Sequence, residues 1–259
     1  MLRNLLCVLS VAVWTAVLFP VACLAMLVRL DPGASIWVAR RLWAPLLLRV
    51  AGARLEVEGL DHVDPGRPVI YASNHQSTLD IPVLFVALPV DLRFVAKEQL
   101  RWVPLVGWYL QLAGHVIVDR GNRQRAIASL DRAAGQILRR RISLIAFPEG
   151  TRSRDARILP FKHGPFGLAL KAGVPVVPVT VEGSARVMPR RSWRITPGVV
   201  KVRIGAPVEA SRFDADDRAG LARTVREAIV RANLDLGGRG GVREDSRPGP
   251  ATSSAASML

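Results

Sequence analysis

From Leu5 to Val28 the chain carries no charged residue. As a helix that run would span about 36 Å at 1.5 Å per residue, enough to cross a hydrocarbon core of about 30 Å. It predicts a membrane anchor. A cleaved signal peptide is the competing reading, but the apolar region of a signal peptide is usually shorter. A second apolar stretch, Ala34 to Val50, is interrupted by Arg40, Arg41 and Arg49. Read as one helix, it sets Ile36, Trp37, Ala39, Leu42, Trp43, Leu46 and Leu47 on an apolar face with a basic edge. A basic amphipathic helix with Trp lies in the plane of a membrane interface; an ordinary core helix is the alternative.

From Leu55 the period changes. Short β-branched runs recur at Leu55–Val57, Val69–Ser73, Arg93–Ala96, Val116–Val118, Ser143–Phe147, Val176–Val181 and Val199–Ile204. Helical patterns separate several of them: Ile81–Ala87, Leu100–Leu112, Arg123–Arg140, Pro165–Ala172 and Asp216–Ala232. The alternation predicts an α/β fold with a mostly parallel, mixed central sheet flanked by helices, preceded by the N-terminal membrane-associated helical segment. The prolines of Val174-Pro175-Val176-Val177-Pro178-Val179 should mark a strand start or an edge, because Pro cannot donate to a ladder. Gly237 onward is rich in Gly, Ser, Arg and Pro and reads as a disordered tail. The expected organisation is an anchor and amphipathic helix over 1–50, a catalytic domain over 51–236 and a tail over 237–259.

Composition narrows the partners. The 259 residues are half hydrophobic, and the formal net charge is +15. Such a chain meets something anionic, and high apolar content favours a lipid surface over nucleic acid. Arg3 precedes the first apolar segment, while Arg29, Arg40, Arg41 and Arg49 follow it. The positive-inside rule then leaves the rest of the chain cytoplasmic, on the inner face of the cell membrane. Both cysteines, Cys7 and Cys23, lie in the apolar segment, so neither a disulfide framework nor a Cys-rich zinc site is available.

The sharpest chemistry is Asn74-His75-Gln76-Ser77-Thr78-Leu79-Asp80, between a strand pattern and a helix pattern. Ligand sites of parallel α/β sheets sit beyond the carboxyl ends of strands. There a carboxylate can hold one imidazole nitrogen and leave the other as a base for a substrate hydroxyl. The same residues also fit a helix cap, Ser77-x-x-Asp80. The second feature is Phe147-Pro148-Glu149-Gly150-Thr151-Arg152-Ser153. Gly150 permits a tight turn, and Arg152 offers a planar fork for phosphate. A solvated basic loop is the alternative. Between these two segments, Gly114-His115-Val116-Ile117-Val118-Asp119-Arg120 delivers Arg120 at a strand end.

These four segments in this order resemble the 1-acylglycerol-3-phosphate O-acyltransferase family: NHxxxxD, GxxxxxR, FPEGTRS and a VPxxPV element. The motif-bearing region runs from about Val69 to Val179. One departure is Ala96-Lys97-Glu98-Gln99-Leu100, where the family often has Glu at the position of Gln99. The resemblance implies transfer of a fatty acyl group from an acyl-CoA or acyl carrier protein thioester to the sn-2 hydroxyl of lysophosphatidic acid. It implies His75 and Asp80 as catalytic residues. Glu149, Gly150, Thr151, Arg152, Arg120 and Lys97 are expected to meet the substrate, with backbone N–H groups around Gly150 a candidate oxyanion donor. A thioester is already activated, so no metal or cofactor is expected.

Rival readings remain. Another lysolipid, such as a different lysophospholipid or a lyso-ornithine lipid, is the nearest. A non-catalytic lipid-binding protein would need no base. No recognised nucleic-acid motif, G-x-S-x-G elbow or H-E-x-x-H is present. His62, His115 and His163 carry no comparable pattern; His163 is the one that could line the site.

Overall fold

The computed structural model describes residues 2–103, 106–118, 123–190 and 194–242. Seven strands form one sheet: β1 (Ala53–Glu58), β2 (Ile70–Ser73), β3 (Leu92–Lys97), β4 (Val116–Val118), β5 (Ser143–Ala146), β6 (Val176–Glu182) and β7 (Gly198–Ile204). Their spatial order is β1-β7-β6-β2-β5-β3-β4. All neighbours pair in parallel except β6 and β7. β2, β5 and β6 are buried along their whole length, as apolar strands covered on both faces must be. Edge strand β1 instead alternates half-buried with exposed positions.

Helices cover both faces. One face carries α2 (Gly33–Val38), α3 (Ala44–Ala51) and α4 (Asp80–Ala87), whose Ile36, Ala44, Leu48, Val83 and Leu84 share a cluster with Tyr71, Ile145 and Val177 of the sheet. The other carries α6 (Arg123–Arg140), α7 (Gly164–Ala172) and α9 (Arg218–Asp235), with Ile137, Phe166, Leu168, Leu221 and Ile229 packed on Ile70 and Leu144. Short helices α5 (Val106–Leu112) and α8 (Ser184–Val187) join them, and the long N-terminal helix α1 (Leu2–Arg29) completes the set among the described residues.

Several expectations need correction. The stretch from Ala34 to Val50 is helical but not one regular helix: residues Ala39–Trp43 are π-helical between α2 and α3. Pro45, in the first turn of α3, has no N–H for the bond a regular helix would make there. This stretch is also two-sided. Its Ile36, Ala39, Ala44 and Leu48 belong to the core of the sheet, while Trp37 and Leu42 stay exposed. The helix expected over Leu100–Leu112 is a 3₁₀ turn, Glu98–Trp102, followed by α5. Pro104 disfavours helical geometry at Val103.

Pro178 lies within β6, an interior strand, rather than at a start or edge. Its carbonyl accepts the Gly205 N–H at 2.8 Å. The missing N–H falls on that same side, where the β7 ladder ends at Val179 and Ile204, so the proline costs only the last reciprocal bond of that ladder. The segment read as tail is bonded as far as Val242. Ile158 and Gly240–Val242 exchange backbone bonds of 2.8 and 2.9 Å, and Arg226 donates to the Val242 carbonyl at 2.6 Å. Residues 243–259 lie outside the described part.

Helix α1 (Leu2–Arg29) includes one span long and apolar enough to cross a membrane. It runs antiparallel to the segment from α2 to α3. Cys7 Sγ meets the Val50 carbonyl at 3.4 Å, and the Trp43 indole donates to Thr15 Oγ1 at 3.0 Å. Cys7, Leu18 and Ala22 form its buried stripe, and most of its other apolar side chains face outward.

Candidate active site

The site lies where β2 and β5 end side by side. Parallel pairing of Ala72 with Ala146 brings the loop Asn74–Leu79 against the loop Phe147–Arg157. The first loop is anchored by Asn74, whose buried amide donates to the Val181 carbonyl and accepts the Val181 N–H, both at 2.8 Å. This pair extends the β2–β6 ladder by one side chain.

His75 and Asp80 are brought together. Nδ1 of His75 is 2.7 Å from Oδ2 of Asp80. That oxygen also accepts the N–H groups of Gln76 at 2.8 Å and Ser77 at 2.9 Å. Asp80 therefore reaches back over the loop and serves both readings: its bond to the Ser77 N–H, with Ser77 Oγ accepting the Leu79 N–H at 3.1 Å, is the cap pattern, and the same oxygen holds the imidazole. All three bonds fall on one oxygen; Oδ1 is equally buried and has no hydrogen-bond partner. Such an orphan is the kind of cost found at functional sites. The imidazole stacks on Phe147, with centroids 4.0 Å apart and planes 18° from parallel. Asp80 is fully buried, whereas 16% of the His75 side chain meets solvent. With Nδ1 engaged, Nε2 is the nitrogen left for a substrate.

Glu149 does something the sequence did not suggest. Its Oε1 accepts the His75 N–H at 2.7 Å, and its Oε2 accepts the Leu159 N–H at 2.9 Å. Expected to meet substrate, it is 4% exposed and ties the two loops together from below. Burial pushes its carboxyl up to about 8, against the two backbone donors, with the Asp80 charge adding to the rise. Ser153 N–H completes the clamp by donating to the His75 carbonyl at 2.9 Å. Gln76 adds a further tie, its amide donating to the Ala156 carbonyl at 3.0 Å.

Arg152 crosses between the loops, its guanidinium donating to Thr78 Oγ1. Arg190 holds the Arg152 carbonyl at 2.6 Å, a neighbour that no motif had signalled. Thr151 is exposed beside it. Gly150 turns with φ of 71°, a backbone that suits glycine. Its N–H donates to the Phe147 carbonyl at 3.0 Å, so that donor serves the turn rather than an oxyanion. Lys97 ends β3, with its side chain outside the described part, and Arg120 lies outside the described residues. Of the other histidines, His115 is buried, with Nδ1 accepting the Phe94 N–H at 2.9 Å. Burial, aided by Arg93, pulls it down to about 3. His163 is exposed at the start of α7.

The acyltransferase family profile matches residues 54–182, which contain both loops. Human 1-acyl-sn-glycerol-3-phosphate acyltransferase alpha is 34% identical over 200 residues, covering 76% of this chain and 71% of the relative. The chain belongs to the 1-acyl-sn-glycerol-3-phosphate acyltransferase family. It is an acyltransferase. A Saccharomyces cerevisiae member is 31% identical over 222 residues, 85% of this chain and 73% of its own. The crystal structure of the 1-acyl-sn-glycerophosphate (LPA) acyltransferase PlsC from Thermotoga maritima superposes with a TM-score of 0.78 at 29% identity. It covers 93% of this acyltransferase and 99% of PlsC, so the likeness includes the N-terminal helices as well as the sheet.

Proposed function

We propose that this acyltransferase moves a fatty acyl group from a thioester of coenzyme A or acyl carrier protein to the sn-2 hydroxyl of 1-acylglycerol-3-phosphate, yielding phosphatidic acid. His75 is the base and Asp80 its positioning partner. The observation that carries the reading is the 2.7 Å contact from Nδ1 to the buried Asp80 oxygen, which fixes the ring and leaves Nε2 for chemistry. Nε2 takes the hydroxyl proton as the alkoxide oxygen attacks the thioester carbonyl. Collapse of the tetrahedral intermediate breaks the C–S bond, and the proton passes from Nε2 to the leaving sulfur. A positioned base contributes about 10²–10⁴-fold; holding two bound substrates together contributes much of the remainder.

Arg152, with Arg120 and Lys97, would hold the acceptor phosphate, and a phosphate-bearing acceptor is favoured by the Arg152 fork. Glu149, Gly150 and Thr151 shape the loop that presents it. The catalytic body works at the cytoplasmic face of the inner membrane, with residues 1–50 contributing the lipid-facing surface. The test is an acyl-transfer assay on washed membranes, crossing lysophosphatidic acid, other lysophospholipids and lyso-ornithine lipid with both donor types. Transfer chiefly to lysophosphatidic acid supports the reading. Preference for a phosphate-free acceptor would overturn it.

A further inference from the structure

A patch outside the N-terminal helices faces outward with unusually large apolar side chains. Trp102 is 79% exposed and Trp108 60%, flanked by exposed Leu100, Val103, Val106 and Leu112. Scattered exposed apolar residues need no explanation, but a contiguous set marks an interaction site.

The patch is built as one plate. The Gly107 N–H donates to the Val103 carbonyl at 2.8 Å. A Cβ at Gly107 would lie 1.9 Å from the Arg101 carbonyl oxygen, so glycine is what lets α5 press against the Glu98–Trp102 turn. Three observations identify what it meets. The half-buried Phe19 ring of α1 lies 6.5 Å from the half-buried Tyr109 of α5, so the plate sits beside α1, most of whose apolar side chains face outward. The exposed Arg101 guanidinium sits 6.0 Å over the Trp102 ring. Trp beside Arg is the pairing that suits an anionic headgroup layer. Finally, β3 runs parallel to β5, and β5 to β2. The Trp102 turn, which follows β3, therefore leaves the sheet at the same edge as the His75 loop.

We propose that the exposed face made by the Glu98–Trp102 turn, Val103 and α5 is a second membrane contact, docking on an anionic lipid surface and turning the His75 edge of the sheet toward the layer that holds the acceptor. The orientation rests on the function proposed above; the docking does not.

The experiment uses the full-length chain with Cys7→Ser and Cys23→Ser. A fluorophore is placed at Val103→Cys and, as a control, at the exposed Leu234→Cys. The protein is bound to phosphatidylglycerol/phosphatidylethanolamine vesicles with acyl chains brominated near the headgroup. The label at 103 should lose most of its emission to the brominated lipid and be shielded from aqueous iodide, while the label at 234 does the reverse. Quenching at 103 by iodide alone would overturn the proposal. Shielding from both quenchers would also overturn it, by showing a second copy of the chain over the patch. These readings stand even if no lysolipid is acylated. For the orientation, the double variant Trp102→Ala/Trp108→Ala should acylate vesicle-borne lysolipid about tenfold more slowly, with an unchanged rate on a short-chain, monomeric acceptor. Equal slowing on both, or on neither, would overturn it.

Discussion

Glu149 accepts the backbone N–H of His75 at 2.7 Å, while Asp80 meets Nδ1 of the same residue at 2.7 Å. The two carboxyl groups thus divide the work at one residue: Asp80 holds the ring and Glu149 the main chain. Neither can move without shifting Nε2.

Replacing Glu149 by Gln keeps one acceptor and sets an NH₂ group against the other backbone N–H. A buried donor left unpaired costs roughly 1–3 kcal/mol. Glu149→Gln should lower kcat at least tenfold, by order of magnitude, while the KM for the acceptor stays near wild type. Steady-state kinetics with unfolding curves on the same preparation would check this. A KM effect with intact kcat would make Glu149 a substrate ligand after all.

The same residue sets a pH dependence. Burial holds its carboxyl up at about 8, whereas an unfolded glutamate ionises near 4.5. Between those values the folded protein keeps a proton that the unfolded chain releases. Its contribution is therefore full below about pH 4.5 and is lost as pH rises through about 8. Denaturant midpoints across that range should fall with rising pH in the wild type and fall less in Glu149→Gln. Parallel curves would place the titrating group elsewhere.

All seven strands were legible because short runs holding β-branched residues announce themselves locally, whether buried throughout like β6 or alternating like β1. Helix α6 was read to its ends because its apolar residues recur at helical spacing between arginines. What the sequence could not reveal are bonds between distant residues. Asn74 and Val181 are 107 positions apart, and Glu149 and His75 are 74 apart. FPEGTRS invites a substrate role for its carboxylate, and only the fold turns that carboxylate inward. Asp80 was ambiguous for a different reason. A capping aspartate and a dyad aspartate occupy the same position at a helix start, and only the fold shows that one oxygen of Asp80 does both, meeting the Ser77 N–H and His75 Nδ1.

Loss of the imidazole should lower kcat by at least about 10²-fold in His75→Ala, with little change in acceptor binding. Asp80→Asn should also slow turnover strongly, since a neutral amide cannot stabilise the imidazolium that forms. A folded His75→Ala protein with near-normal turnover would end the mechanism.

Arg152→Ala should raise the KM for the phosphorylated acceptor about 10–100-fold, the equivalent of a charged hydrogen bond of 1.5–3 kcal/mol, and leave the donor KM nearly unchanged. The contact with Thr78 adds a second test. Thr78→Val keeps the shape and removes the hydroxyl that the guanidinium holds, so it should raise the acceptor KM in the same direction by a smaller factor. Equal rises in both constants would assign Arg152 to the donor or to the fold.

Acyl transfer can run through an acyl-enzyme or in one direct step. A covalent route needs a hydroxyl or thiol activated by the base. Ser73 and Ser77 each lie two residues from His75, but Ser73 is fully buried with its Oγ donating to the Asn74 carbonyl at 3.0 Å, and Ser77 Oγ donates to the Met188 carbonyl at 2.7 Å and accepts the Leu79 N–H at 3.1 Å. Ser77 is fully buried, and its hydroxyl ties the loop to the segment after α8. Cys7 is buried on α1 against Val50, away from the loop. The acceptor oxygen, once deprotonated, is itself the nucleophile, so both substrates should bind before either product leaves. Ser77→Ala should lose stability, by about 1–3 kcal/mol for the unpaired partners, yet keep most of its kcat. Incubating the wild type with labelled acyl donor and no acceptor, then denaturing it, should leave no label on the protein. Stoichiometric label that disappears in Ser77→Ala would make His75 the activator of Ser77 and replace the direct step with a two-step exchange.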